Sequence, residues 1–298
     1  VLIVIRTCSV LLYCAILERE RKVGLYGCQK CDDMSKANYY NRIAPIYDQT
    51  RWMTEAVAED VADFILTLVE ANPSTVFLEP GVGTGSNVLP LVKRGYSVTG
   101  IDISQEMLDQ FRQKLQPIPN NLTLLQADAS KLSFPDASFD VVLTVHMIHT
   151  VSDWQKFLHE INRVLKPQGF YLNAQWITPP ARKEFERHFK AILSKYKEAC
   201  IPKRVDNLIE EIDNYFYHKN YQSNYQIAKE WTVTNTVAEL LSYYKSRAYG
   251  FCWWVPDDVF HRAMAEFESF CADHYGSFAT ELSSTAKFEI WAYTRLRD

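Results

Sequence analysis

The sequence has little that would tie it to a polyanion or a membrane. Its 298 residues carry 32 Lys and Arg against 36 Asp and Glu, a formal net charge of −4. The basic footprint of a nucleic-acid binder is therefore missing. No stretch reaches the roughly 20 apolar residues of a membrane span. The longest candidate, Val1 to Leu17, is broken by Arg6 and is followed by no A-x-A-type cleavage site. No internal repeat or long low-complexity tract is present. Of the seven cysteines, Cys200, Cys252 and Cys271 form no framework, and Cys28-x-x-Cys31 lacks a second ligand pair. That leaves a reducing cytoplasm as the default expectation, and no compact ligand spacing argues for a metal. Residues 1–33 do not begin with Met and hold four of the cysteines, Cys8, Cys14, Cys28 and Cys31. They are expected to be a non-core extension, an upstream stretch of reading frame, with the functional fold starting at Met34. What remains is ordinary: 47% hydrophobic and 23% charged, enough to bury one large core or two modest ones.

One stretch organises the chain: Val76-Phe-Leu-Glu79-Pro-Gly81-Val-Gly83-Thr-Gly85. Val76, Phe77 and Leu78 read as a buried strand, and Ser86 to Arg94 as a helix closed by a left-handed cap at Gly95. Strand, glycine turn and helix bring bare backbone against a ligand. A dinucleotide site wants G-x-G-x-x-G, but here the third glycine arrives one residue early, at Gly85, and Ser86 holds its place. Glu79 at the strand tip would repel a pyrophosphate and suits a ligand with positive charge and no phosphate. The E-x-G-x-G-x-G pattern resembles the first motif of the class I S-adenosylmethionine-dependent methyltransferases. On this stretch alone, a glycine-rich turn without a ligand stays open.

The following strands repeat the theme. Thr54 to Glu70 has the period of an amphipathic helix, with Val57, Val61, Phe64, Ile65 and Leu68 on its buried stripe, and Asn72-Pro73 ends it. Tyr96 to Ile101 is a second strand ending at Asp102, 21 residues beyond Gly81, where such folds offer a carboxylate to ribose hydroxyls. Ser104 can cap the next helix, and Ile103 and Met107 are placed to touch an adenine. Leu122 to Gln126 is the third strand, followed by Asp128 and Ala129. The resemblance implies that Asp128 accepts from the adenine amine while a neighbouring backbone N–H meets the ring. Val141 to Val145 is a continuous apolar run, the mark of a central strand, and Asp140 before it fits a structural family motif. His146 and His149 follow, where the family often has histidine or aromatic residues facing the transferred methyl. His149 is the stronger candidate for a general base and His146 the second; a hydrogen-bonded histidine of a strand–helix turn is the alternative for both. Asp153 caps a helix, Trp154 to Leu165, and Gly169 to Trp176 is the fifth strand. Gln168 stands where the family tends to have a second glycine. Glu79, Asp102, Asp128 and His146 thus fall at four strand ends. This alternation implies an α/β, doubly wound, parallel sheet with its ligands at the carboxyl ends of the strands.

Beyond Pro179-Pro180 the chain reads as mostly helical to about residue 275. The segment Arg182–Arg204 holds eight basic residues against three acidic ones, read as a solvated helix face rather than an anion site. Trp231 to Thr236 is a short strand leading into a helix, Tyr249 to Pro256 a dense aromatic loop, and Lys287 to Arg295 the last strand, usually antiparallel in the family. The resemblance implies a Rossmann-like, mostly parallel seven-stranded sheet with an inserted helical substrate lid. Its units would be residues 34–178 as cofactor-binding core, 179–275 as lid and 276–298 as the final strand. Tyr39 and Tyr47, in Tyr39-Tyr-Asn-Arg-Ile-Ala-Pro-Ile-Tyr47-Asp48, resemble the segment that covers the cofactor in quinone-biosynthesis and related small-molecule methyltransferases. They lean on the methionine end of the ligand or pack an N-terminal helix. The resemblance implies S-adenosylmethionine as cofactor, with Glu79, Gly81, Gly83, Gly85, Asp102, Ile103, Met107, Asp128, Ala129, Val145, Tyr39 and Tyr47 around it. A small-molecule methyl acceptor follows, with no nucleic acid and no membrane span. A cofactor binder that does not turn over is the second reading, and turnover separates the two. The acceptor and the oligomeric state stay open.

Overall fold

A computed structural model describes residues 36–151, 153–196 and 207–296. The expected extension 1–33, the Cys28-x-x-Cys31 pair, Cys200 and the basic positions Lys197, Lys203 and Arg204 lie outside the described residues. The chain enters through α1 (Lys36–Ile43) and two 3-10 turns, Ala44–Ile46 and Asp48–Thr50. Helix α2 (Glu55–Leu68) starts at Thr54, whose hydroxyl accepts from the Val57 N–H as an N-cap does. Its inner stripe is Val57, Ala58, Val61, Ala62 and Ile65; Phe64 and Leu68, expected on that stripe, are only partly buried.

The strands are β1 (Val76–Pro80), β2 (Ser97–Asp102), β3 (Leu122–Gln126), β4 (Phe139–Val145), β5 (Leu165–Ile177), β6 (Tyr221–Thr236) and β7 (Glu281–Arg295). They form one seven-stranded sheet in the order β3-β2-β1-β4-β5-β7-β6. The first five run parallel and β7 runs antiparallel to both β5 and β6. The crossover from β3 to β4 sends the chain to the far side of β1, so the strand order reverses at β1. Ligands bind at such a reversal. Along β1 the side chains alternate: Phe77 enters the core under α2, α3 (Leu89–Lys93) and α4 (Gln105–Gln113), and Leu78 the core under α5 (Trp154–Val164) and α7 (Leu208–Tyr217). Both faces are covered, which is why these central strands read as unbroken apolar runs.

A third core is separate from these two, with Leu282 of β7 packed against it. Phe185 and Phe189 of α6 (Pro180–Leu193), Leu240 and Tyr244 of α8 (Val237–Lys245), and Phe260 and Phe267 of α9 (Asp257–Tyr275) share one buried cluster. This cluster falls in the region expected as a lid, residues 179–275, and one correction applies there. Region 179–275 is not simply helical, because β6 runs sixteen residues rather than the six of Trp231 to Thr236. Residues 222–230 are mostly exposed and polar. They are held by their ladder to β7 and not by an apolar face, so no period-two signal marks them. Asp140, the structural motif residue, accepts from the Val76 N–H at 2.9 Å and pairs with Lys166, pinning β1, β4 and β5 together at the end opposite the glycine turn. No helix among the described residues is long and apolar enough to cross a membrane.

Candidate functional site

The glycine turn is built by its conformations. Gly81, Gly83 and Gly85 have φ of +72°, +54° and +77°, the left-handed region that costs an L-residue about 1–2 kcal/mol. Their surroundings differ. A Cβ on Gly81 would lie 2.5 Å from Met147 Cγ, and one on Gly85 2.4 Å from the Phe111 ring. These two glycines let Met147, just past β4, and Phe111 of α4 close against the turn. A Cβ on Gly83 would meet nothing within 4 Å. The backbone at Gly83 therefore faces open space, as a ligand cradle requires. The helix after the turn starts at Leu89, not at the expected Ser86, because Pro90 has no N–H to bond back to Ser86 and suits only a first helical turn. The cradle is thus the turn itself and not a helix end.

Beneath the turn Glu79 is fully buried. Its Oε1 accepts from Asn87 Nδ2 at 2.8 Å, while Oε2 has no partner. Burial pushes its carboxyl well above the ordinary range; the Asn87 bond opposes the shift and the Asp102 charge adds to it. Asp102, at the tip of β2, accepts from Gly83 N–H and from Ser104 N–H, both at 2.8 Å. Burial raises its carboxyl too, against the pull of those backbone donors. One orphaned carboxylate oxygen, a second carboxylate 2.8 Å from the turn's backbone and an open cradle at Gly83 suit a cationic nucleoside ligand. S-adenosylmethionine, with its ammonium, sulfonium and ribose diol, fits this donor set; a pyrophosphate does not.

Of the other expected cofactor residues, Ile103, Asp128, Ala129 and Val145 lie at or just beyond the ends of β2, β3 and β4, and Met107, Tyr39 and Tyr47 do not. Ile103 is 48% exposed at the β2 exit, an apolar surface beside Asp102. Met107 is buried against Ile43 and Ala44 of the N-terminal segment. Asp128 is exposed beyond β3, its carboxylate accepting from Ser130 N–H, and Ala129 is buried next to it. Val145 closes β4. His146 follows with φ +52°, and its Nε2 lies 2.7 Å from Trp176 N and 2.9 Å from Trp176 O, accepting from the one or donating to the other according to the tautomer. That bond fixes the ring to the end of β5. His149, half-buried in the 3-10 turn Ile148–Thr150, has its ring centroid 6.4 Å from that of His146.

The two tyrosines separate. Tyr39 stacks on Trp253 of the aromatic loop at 5.0 Å, and its hydroxyl donates to Trp253 O at 2.7 Å. Tyr47 lies under the Arg51 guanidinium, 4.1 Å from its ring centroid. The sequence reading missed the residue between cover and turn. Asp48 accepts from Thr84 Oγ1 at 2.5 Å and from Ser86 Oγ at 3.1 Å, and pairs with Lys114 at 2.6 Å. These partners are 36, 38 and 66 residues away, so no spacing rule announces them.

Comparison with known proteins bears on the same segment. The family described as "Methyltransferase domain" matches residues 78–173. The demethylmenaquinone methyltransferase of Tropheryma whipplei is 30% identical over 187 residues, 59% of this chain and 75% of that protein. Among solved structures, the Haemonchus contortus phosphoethanolamine N-methyltransferase 2 in complex with S-adenosyl-L-methionine aligns with a TM-score of 0.52. It is 16% identical and covers 89% of this chain and 60% of that one. The [4+2]-cyclase SpnF aligns at TM-score 0.56 and 14% identity, over 88% of this chain and 96% of that one. The last two are likenesses of fold, and the cyclase shows that the fold alone does not name a reaction.

Proposed function

The chain belongs to the class I S-adenosylmethionine-dependent methyltransferases, and from that premise we propose that its acceptor is a small, aromatic-friendly molecule held between the ends of β4 and β5 and the lid. When bound, S-adenosylmethionine supplies an activated methyl group on its sulfonium. The protein's task is then alignment, which can lower a barrier by roughly 7–11 kcal/mol. The observation that carries the cofactor assignment to residues is the orphaned Oε2 of Glu79 below an open Gly83.

In this reading Glu79 and the Gly81–Gly85 backbone hold the amino-acid end, and Asp102 takes the ribose hydroxyls. Ile103, Met107, Asp128 and Ala129 flank the adenine. Val145 lies beside the reacting end, and Tyr39 and Tyr47 belong to the segment that covers it. His149 is the general base for an acceptor that holds its proton, worth roughly 10²–10⁴-fold. His146, with Nε2 engaged by the Trp176 backbone, positions the acceptor face more than it moves a proton. The small-molecule acceptor is supported by relatives named for quinone substrates. A silent cofactor binder is not favoured, since those relatives are named as enzymes.

Calorimetric titration with S-adenosylmethionine, S-adenosylhomocysteine and NAD tests the site. Micromolar binding of the first two without NAD is expected. Binding of NAD alone would overturn the assignment of Glu79 and the glycine turn. A screen of phenolic and quinol acceptors, read as S-adenosylhomocysteine released, tests the acceptor class, and turnover confined to macromolecules would refute it.

A further inference from the structure

Between the cover and the lid lies a cavity of about 50 Å³, with Trp52, Thr178, Arg182, Glu186, Tyr244 and Tyr249 in its wall. A water needs about 10–15 Å³ of such space, so the cavity has room for a compact polar group rather than a whole molecule. Its place in the fold matters. Thr178 follows the end of β5, where Trp176 holds His146, and the Trp52 ring stands edge-on to Trp176 at 6.0 Å. The cavity is therefore on the strand-end side of the sheet, next to the candidate reacting centre.

Its wall carries positive charge that the fold does not neutralise. Arg182 is only 6% exposed, which corrects the reading of its segment as a wholly solvated face. Its Nε donates to Asn235 Oδ1 at 2.7 Å and its Nη1 to Thr50 O at 3.2 Å. Trp52 and Tyr243 present their rings at 5.2 and 5.6 Å. All four neighbours are neutral. Glu186 shares the wall but is paired with Lys190, and Glu239 reaches Asn235 rather than the arginine. Among the described residues no carboxylate forms an ion pair with Arg182.

A second guanidinium reinforces it. Arg51 stands 5.7 Å from the Tyr249 ring and donates to Thr50 Oγ1 and Ala248 O. It too has no ion pair among the described residues. Burial lowers the pKa of Arg182, and the Arg51 charge lowers it further. Trp52 adds an indole N–H, buried and without an acceptor. Buried charges are ordinarily paired, and a guanidinium fork is shaped for a carboxylate or phosphate.

We propose that this cavity receives an anionic end of the methyl acceptor, a carboxylate or phosphate monoester on a small aromatic body, and that Arg182 is the residue that selects for it. The proposal rests on the methyltransferase reading for the acceptor's place, not for the reacting atom.

The test uses the full chain with saturating S-adenosylhomocysteine, titrated with benzoate, phenyl phosphate and benzamide and read by tryptophan fluorescence. At least one anion is expected to bind about tenfold or more tightly than benzamide, and the tighter of the two identifies the head group. Arg182→Gln should erase the preference, Arg182→Lys should keep part of it, and Arg51→Gln should reduce it a few-fold. Arg182 also ties Thr50 to Asn235, so melting curves and calorimetry with S-adenosylhomocysteine accompany each variant. If Arg182→Gln does not fold, Arg51→Gln carries the test, since it leaves that tie intact. Equal binding of the three probes, binding of none, or a preference that survives substitution overturns the proposal. Failure of S-adenosylhomocysteine to bind the unsubstituted protein would instead strike the cofactor reading, and the titrations repeated without it still report on the cavity.

Discussion

The glycine-turn side of this molecule and the cavity beside Arg182 meet the needs of their charged groups in different ways. Asp102 is answered by backbone N–H groups two and 19 residues away, from Ser104 and Gly83. Arg182 is answered by Asn235 and by Thr50 O, 53 and 132 residues away, and by no carboxylate among the described residues. The first kind of site is made by the local course of the chain. The second exists only once three distant segments have packed. Local sites recur wherever the turn recurs, whereas a packed site is free to differ from one relative to another.

The glycines offer the sharpest break. Gly83→Ala should fold, at a cost of about 1–2 kcal/mol for its left-handed φ, and lose S-adenosylmethionine binding altogether. Gly85→Ala should lose stability as well, by about 1–3 kcal/mol more, because its Cβ meets the Phe111 ring. Melting curves beside calorimetry separate the two, and undiminished binding by Gly83→Ala would sink the cradle. His149→Ala comes next: turnover should fall roughly 10²–10⁴-fold with cofactor binding unchanged, and unchanged turnover removes its role as base. Asp102→Ala should weaken the cofactor by about ten- to a hundredfold, the scale of a hydrogen bond to a charged group.

Glu79 sharpens the contrast through pH. Its folded-state carboxyl is raised above the ordinary 4.5 by burial, so between 4.5 and the raised value the folded state holds more protons than the unfolded. Stability then falls as pH rises through that window. Glu79→Gln should therefore melt higher than the parent at neutral pH, and its melting temperature should lose this pH dependence. Binding runs the other way: the parent's affinity for S-adenosylmethionine should rise with pH over the same window as the carboxylate forms, and the variant's should be weaker and flat. A parent affinity independent of pH would remove Glu79 from the site. The smallest effect is expected at Tyr39→Phe, which deletes the bond to Trp253 O and keeps the stacking. About 1 kcal/mol of stability is at stake, read from denaturant midpoints.

How much of this was legible follows the same divide. The strands to Trp176, their order of appearance, the caps at Ser104 and Asp153 and the positive φ at Gly95 all follow from short-range pattern. So does the convergence of Glu79, the glycines and Asp102, since βα geometry places each at a strand end. The first half of β6 was not legible, because an exposed edge strand held by its ladder needs no apolar alternation. The contacts of Asp48, Arg51 and Arg182 were not legible either. In sequence these residues look like any surface charge, and only their partners at Thr84, Tyr249 and Asn235 give them a role.

The 3-10 turn Asp48–Thr50 has one more consequence. Its first residue grips the glycine turn through Thr84 and Lys114, and its last lends a carbonyl to Arg182. A ligand that shifts Thr84 and a ligand that draws on Arg182 pull on opposite ends of a single three-residue turn. Whatever factor the first imposes on the affinity of the second, the second must return to the first, because the free energies close a cycle. The order of arrival then alters the route but not the product of the two affinities.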